Sequence, residues 1–501
     1  MVMMRLSSRL LTMGGVKQAM AMMATPANKA VLAEAGLLVS EVEAAEPNDL
    51  VIVVAGEAVG QLDLALGSAQ AALSEADRQT PGVSTPQSAT TLRDAVRDDS
   101  GANVALISTP GTYAAAEALK ALKLGLHTMI FSSDVSLQDE IALKKMARKR
   151  GLLVMGPDCG TAILGGYPLA FANVVPRGDV GIVAASGSGL QELSCQLSRH
   201  ALGVSQAIGT GSRDLSREVG GITMLQGYEA LLADENTRLI VLLSKPPHPE
   251  VAQDLLHHCT GEGKPLVLCF LGMDAEHVIT GERRRVVRTI EQAVQAALAL
   301  LGKGPSAPPL GLSPELAERA QEARAKLQPA QRHIRGLFSG GTLCSEAQVV
   351  LSDLGRAVYS NVPLRPELHV AQQPSAPGDV LLDVGTEEYT VGRPHPMIDF
   401  RARRAQITHL ADNPNVGVLL LDVILGYGAH ADPAGELVPA IQELSERAAR
   451  VGRHVVTVAS VCGTVGDPQG LRPTEQRLLE AGVLLAPSAA QGARLAHAIV
   501  S

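Results

Sequence analysis

The sequence predicts an α/β protein with mainly parallel sheets, in which one βαβ segment is followed by two copies of a second α/β unit. Three observations predict it. Short apolar runs alternate with amphipathic helical stretches, the sequence form of strands joined by crossover helices. Four blocks recur in the same order across residues 181–463, the mark of an internal repeat. Of 501 residues, 46% are apolar and 19% charged, enough to pack several cores.

The elements follow in chain order. The first 75 residues read as a Met-rich helix near 15–24, a strand in "DLVIVVAGE" (49–57) and an Ala/Leu helix at 60–75. The polar, Pro-bearing segment 76–92 reads as a linker. A β-α-β-α-β series then runs through "NVALIST" (103–109), a helix from Tyr113 to about Lys123, "HTMIFSS" (127–133), a charged helix at 136–150 and "LLVMG" (152–156). Continuously apolar strands of this kind are buried on both faces.

The repeat begins where "GIVAASGSGLQEL" (181–193) matches "GLFSGGTLCSEA" (336–347). Next, "AIGTGSRDLS" (207–216) matches "DVGTEEYTVG" (383–392), and "LADENTRLIVLLSKPPHPE" (232–250) matches "LADNPNVGVLLLDVILGYGAH" (410–430). Last, "KPLVLCFLG" (264–272) matches "RHVVTVASVCG" (453–463). The offset grows from 153 at Ser186 and Ser339 to 176 at Gly209 and Gly385, which places an insertion at the Pro-rich segment 363–379. Each copy reads as a flavodoxin-like domain, and the two are expected to pack as a pseudo-symmetric pair. The breaks give domains at 1–92, 93–155, 156–301 and 333–501, with "GKGPSAPPLGLSP" opening a linker at 302–332.

Composition bounds the partners. With 43 basic and 51 acidic residues the formal charge is -8, and 6 Tyr, 5 Phe and no Trp leave few stacking surfaces. Nucleic acid is excluded as an expected partner. No apolar run reaches the roughly 20 residues that cross a bilayer. Six cysteines without a C-x-x-C pair read as reduced thiols of a cytoplasmic protein, and nothing has the spacing of a metal site or of a phosphate loop with lysine.

The candidate site follows from the repeat. Ser186, Gly187, Ser188 and Gly189 in one copy, and Ser339, Gly340, Gly341 and Thr342 in the other, form strand-to-helix turns made only of small residues. Such turns let an anion reach free N–H groups at a helix N-terminus. Two of them face to face would bind phosphate. Gly209, Thr210, Gly211, Ser212 and Arg213 follow the next strand, toward the sheet edge where ligands of open α/β folds bind. Cys159 lies in the "GPDCGT" turn. "GRPHPMID" (392–399) holds Arg393, His395 and Asp399 in a Pro-stiffened loop suited to an anionic substrate. Asp422 ends a strand, with His430 beyond it, and Cys462 and Gln469 follow the last repeat strand.

These motifs resemble succinyl-CoA synthetase. Residues 102–136 leading into "GPDCGTAI" resemble the Rossmann-like CoA-binding domain of its alpha subunit, and "GIVAASGSGLQEL" resembles that subunit's phosphate loop. Residues 336–501 resemble the last, ligase-CoA domain of its beta subunit. The whole chain is similar to the FdrA family, through "MMATPANKAVLAEAGL" (22–37), "GTGSRDLS", "GRPHPMID" and "LGYGAHADP". Three parts of the synthetase pattern are missing. "MDAEHVITGERRR", holding His277, replaces the glycine-flanked phosphohistidine loop; only about 30 residues separate the repeats, leaving no room for an ATP-grasp domain; and only Gly14-Gly15 stands where a CoA phosphate turn is expected.

The FdrA resemblance implies an oxamate carbamoyltransferase of allantoin and purine breakdown. Carbamoyl phosphate, or another acyl phosphate, would react with a small carboxylate or amide, with separate protein subunits as partners and a homo-oligomer as a further expectation. In that reading the paired turns take phosphate, Arg393 and His395 take the carboxylate or leaving oxygen, and Asp422 orients an attacking amide. No cofactor follows from the residues, CoA being implied only by the synthetase resemblance. The alternatives are an acyl-CoA synthetase subunit whose nucleotide is bound by a partner, and a non-catalytic scaffold that binds a metabolite.

Overall fold

Strands whose residues are all apolar need cover on both faces, and most of this chain is spent supplying it. The computed structural model describes residues 2–11, 13–47, 49–56, 58–77, 89–273, 281–304, 311–370, 378–390 and 394–501. The chain divides into two units, 1–90 and 91–501.

The first unit holds helix α1 (Val2–Leu11), strand β1 (Val16–Met23), helices α2 (Pro26–Glu34) and α3 (Ser40–Ala44), strand β2 (Leu50–Gly56) and helix α4 (Val59–Asp77). The Met-rich segment expected to be helical is strand β1, paired antiparallel with β2. Ala19 and Ala21 are both buried, the two-residue period of a strand. The ladder to β2 outweighs the helix propensity of Met and Ala. Helix α2 starts where Thr25 Oγ1 accepts from Asn28 N at 3.3 Å. Most of the expected linker at 76–92 lies outside the described residues.

The second unit begins with α5 (Leu92–Asp98) and the series β3 (Val104–Ile107), α6 (Gly111–Lys123), β4 (His127–Ile130), α7 (Leu137–Lys149) and β5 (Val154–Met155). These strands form a parallel sheet in the order β3-β4-β5. Ser136 caps α7 by accepting from Asp139 N at 3.1 Å.

Next come β6 (Thr161–Leu164), β7 (Tyr167–Ala170), β8 (Arg177–Ala185), α8 (Gly187–Arg199), β9 (Val204–Gly209), α9 (Ile222–Ala233), β10 (Leu239–Ser244), α10 (Pro249–His258), β11 (Leu266–Phe270), β12 (Arg284–Val287) and α11 (Ile290–Leu300). The residues read as a linker contain helix α12 (Pro314–Arg324). The rest is β13 (His333–Phe338), α13 (Gly341–Asp353), β14 (Val358–Tyr359), β15 (Asp379–Asp383), α14 (Glu387–Thr390), α15 (Arg401–His409), β16 (Val416–Ile424), α16 (Pro433–Arg450), β17 (Val456–Cys462), α17 (Leu471–Glu480), β18 (Leu484–Ala486) and α18 (Ala489–Val500).

Two sheets result, ordered β12-β11-β10-β8-β9-β6-β7 and β14-β15-β13-β16-β17-β18. Numbered within each copy, the shared strands run 2-1-3-4-5 in both, the flavodoxin order. The internal repeat is therefore a repeat of topology. Helices α8 and α13, one from each copy, pack on each other, and Cys195 of α8 lies in the same buried cluster as Leu343, Cys344 and Ala347 of α13. All six cysteines are free and buried. No helix among the described residues is long and apolar enough to cross a membrane.

Candidate functional site

Each small-residue turn sits at the switch point of its sheet, where strand 1 meets strand 3. In the first copy Ser186 caps α8, its Oγ accepting from Gly189 N at 2.9 Å. In the second, Asp422 does the equivalent work from the neighbouring strand. Its carboxylate accepts from Ser339 N at 2.8 Å, Ser339 Oγ at 3.1 Å and Gly340 N at 2.7 Å. Arg403, buried beneath it, contacts Asp422 Oδ1 at 2.7 Å. Asp422 is itself fully buried. This corrects the expectation that it orients an attacking amide: the carboxylate is drawn into the turn, and Asp422 is a positioning residue.

The two turns meet. Ser186 Oγ and Thr342 Oγ1 are hydrogen-bonded, and Thr342 N donates to Ser188 Oγ at 3.3 Å. The glycines make the approach: a Cβ on Gly189 would lie 2.8 Å from Thr342 Cγ2, and one on Gly340 2.9 Å from Ser188 Cβ. Side-chain hydroxyls thus occupy the seam itself. The first-turn N–H groups of Gly187, Ser188 and Gly341 find no acceptor among the described residues, so the donors open to an anion lie beside the seam.

Three groups surround those donors. Lys245 directly follows Ser244, which pairs in register with Ala185, so it stands next to Ser186. Its Nζ is 3.8 Å from Asp383 Oδ2 of the other copy. Asp383 ends β15, and Oδ1 accepts from Gly385 N at 2.9 Å; burial pushes this acid up, against the charge of Lys245. A Cβ on Gly341 would overlap Asp383 Oδ2 and lie 2.6 Å from Lys245 Nζ. His395 approaches from the Pro-stiffened loop. Its ring centroid is 5.8 Å from that of Phe171, and Nε2 is 2.9 Å from the Cβ position of Gly385. Nδ1 accepts from Met397 N at 3.2 Å, so the neutral ring carries its proton on Nε2. Burial lowers the His395 pKa, against the pull of Asp158 and Asp422. Arg393 lies outside the described residues, as does His277.

The remaining expected residues fall into two places. Gly209 and Gly211 pack under the 156–161 turn: a Cβ on Gly209 would lie 2.6 Å from Cys159 Sγ, and one on Gly211 2.8 Å from Gly156 Cα. Burial pushes the Cys159 thiol up to about 12, so it is no nucleophile near neutral pH. Thr210 O accepts from Lys144 Nζ at 3.0 Å, and Ser212 is exposed. Arg213 donates to Glu140 at 3.0 Å and to Val135 O at 2.8 Å, while buried Lys144 pairs with Glu140 at 2.9 Å and with Asp214 at 2.7 Å. These contacts clasp α7 to the first copy. The second place is the 422–433 loop. Gln469 Nε2 donates to Gly426 O at 2.8 Å and to His430 O at 3.1 Å, and His430 N donates to Met397 O at 2.8 Å. Cys462 is buried against Cys195. Apart from exposed Ser212, the residues of both sets contact other parts of the protein.

Sequence reasoning missed Lys245 and Asp383 as site residues. Each is a charged residue at the end of a buried apolar strand, a signal that becomes specific only once strand register places both beside the turns. Among the described residues no cluster of three His, Cys, Asp or Glu could hold a metal ion.

Comparison with known proteins adds five relations. The chain matches the CoA-ligase family over residues 337–499 and the family "AllF, heavy metal-associated domain" over residues 1–89. It is 39% identical over 497 residues to the protein YahF of Escherichia coli (strain K12), covering 99% of this chain and 95% of that one. It is 29% identical over 164 residues to the alpha subunit of the ADP-forming succinate–CoA ligase of Aquifex aeolicus (strain VF5), 31% of this chain and 51% of that subunit. The dinucleotide-forming acetyl-coenzyme A synthetase 1 of Ca. Korarchaeum cryptofilum aligns over 79% of this chain and 82% of that one, at 15% identity and a TM-score of 0.32. Residues 1–89 contain neither Cys nor His, and their soft donors are the thioethers of seven Met; the turn after β1 is closed by Thr25 and by Asn28 Nδ2 donating to Met23 O at 2.7 Å.

Proposed function

The chain belongs to the FdrA family of succinyl-CoA synthetase-like proteins, and from that premise we propose that it is a subunit of an oxamate carbamoyltransferase. The observation that carries the reading is the meeting of two small-residue helix starts, one from each copy, whose unpaired N–H groups lie beside Lys245 and neutral His395. That is a binding place for the phosphoryl group of a ready-made acyl phosphate.

In the reaction, the amide nitrogen of oxamate forms a bond to the carbamoyl carbon of carbamoyl phosphate. The carbon–oxygen bond to phosphorus breaks, its electron pair stays on phosphate, and the proton lost from nitrogen ends on phosphate. The protein's part is orientation and charge stabilisation. The N–H groups of Gly187, Ser188 and Gly341 hold the phosphoryl oxygens, and His395 Nε2–H donates to the leaving oxygen. Arg393 is assigned, on the sequence alone, to the leaving oxygen beside His395.

The CoA-ligase match over residues 337–499 favours a second reading, an acyl-CoA synthetase subunit with nucleotide on a partner. Incubation of the chain, with and without the products of its neighbouring genes, in carbamoyl phosphate and oxamate separates the two. Transfer predicts oxalurate and phosphate without ATP or CoA; product formed only with ATP, CoA and an acid overturns it.

A further inference from the structure

The pair formed by Lys245 and Asp383 lies where the two copies meet, a half-exposed ammonium facing a buried carboxylate. The Asp383 side chain is only 6% exposed. It is held from three directions: its N–H donates to Asn361 Oδ1 at 2.9 Å, its carbonyl accepts from Asn361 Nδ2 at 2.9 Å, and Oδ1 accepts from Gly385 N at 2.9 Å. This leaves Oδ2 aimed across the first turn of α13, over the bare Cα of Gly341. Its one charged partner among the described residues is Lys245, at 3.8 Å, which is beyond hydrogen-bond length. Lys245 is 43% exposed and extends over the same glycine from the other copy.

A carboxylate oxygen has more than one lone pair, so Oδ2 can accept a further hydrogen bond beside its long contact with Lys245. A positive group and a strong acceptor a few ångströms apart, open to a surface with free N–H groups, together match a small molecule whose anion adjoins an N–H. We infer that Lys245 and Asp383 form the recognition subsite for an α-amido carboxylate, the ammonium taking the carboxylate and Asp383 Oδ2 accepting a hydrogen bond from the amide nitrogen. The inference rests on the carbamoyl-transfer reading and names the side chains that select its acceptor substrate. Asp383 then discriminates against an α-keto acid of the same size that has no N–H, because a site built to accept a hydrogen bond rejects a ligand that cannot donate one.

The test is calorimetric binding of oxamate and of pyruvate, which keeps the carboxylate and carries a methyl in place of the NH2, to the full chain with its partner subunits. The wild type is expected to bind oxamate at least about tenfold tighter than pyruvate, the scale of a hydrogen bond to a charged group. Lys245→Gln, at an exposed position, should weaken both ligands about tenfold or more with an unchanged melting temperature. Asp383→Asn should remove most of the preference for oxamate. Equal binding of both ligands by the wild type, or unchanged oxamate binding by Lys245→Gln, overturns the subsite. Catalysis is read separately. Lysine-dependent oxamate binding without carbamoyl transfer sustains the subsite and removes the reaction; transfer with an unchanged oxamate KM in Lys245→Gln removes the subsite and leaves the reaction.

Discussion

Single buried charges carry much of the design, and their partners decide what each one does. Asp422 and Arg403 are both buried, and removing the carboxylate charge leaves a guanidinium uncompensated in the core. Asp422→Asn should therefore destabilise the protein by about 3 kcal/mol or more, read as a fall in the denaturant midpoint, with any loss of turnover following from the displaced turn. A midpoint equal to wild type would return Asp422 to the substrate side of the turn. Glu346 poses the reverse case. Burial, with the nearby charge of Glu192, pushes it up to about 8, while Oε1 accepts from Ile290 N at 2.7 Å and Oε2 has no partner. A carboxyl raised above its unfolded value contributes stability that is full below about pH 4.3 and is lost as pH rises through its folded value. Glu346→Gln keeps an acceptor without the charge. Its melting temperature should be near wild type at pH 5 and increasingly above it toward pH 9; parallel curves would show that the acid is ionised and paid for elsewhere.

At the scale of elements, the repeat succeeds because two strand-turn-helix units touch through their smallest residues. Gly340→Ala would put a methyl 2.9 Å from Ser188 Cβ and from Ile424 Cδ1, prying the turns apart at about 1–3 kcal/mol, the usual cost of overpacking. Thermal unfolding should show that loss together with weaker binding of inorganic phosphate, whereas wild-type stability and binding would mean that the turns need not touch. These turns, the β-α-β-α-β series at 103–156 and the repeat were legible in the sequence, because each is local and periodic. Strand β1 was not, since Met and Ala suit a helix and only pairing with β2 decides otherwise. The Lys245 and Asp383 pair was hidden for a related reason: the residues are 138 apart in sequence and meet only through register and the packing of one copy on the other. Arg213, a basic residue in a glycine-rich loop and expected to meet substrate, is paired with the buried acid Glu140 on α7, a contact that no local sequence pattern announces.

For the second unit as a whole, the account is of a synthetase-like scaffold whose two copies have taken unequal roles. The first supplies Lys245 and the Ser186 turn; the second supplies Asp383, His395 and a turn braced by a buried ion pair. In the proposed reading the phosphate donors come from both, so the substrate bridges them. The chain retains no glycine-flanked histidine after β11 to carry phosphate from ATP, so the phosphoryl group should arrive already joined to the carbamoyl carbon. Carbamoyl phosphate labelled with oxygen-18 in its carbon–phosphorus bridge, incubated with oxamate, the chain and its partner subunits, tests this most directly. The account predicts oxalurate together with inorganic phosphate that retains the bridging label, at equal rates with and without ATP and CoA. Absence of oxalurate under these conditions, with acyl-CoA appearing when ATP, CoA and an acid are supplied, would contradict it.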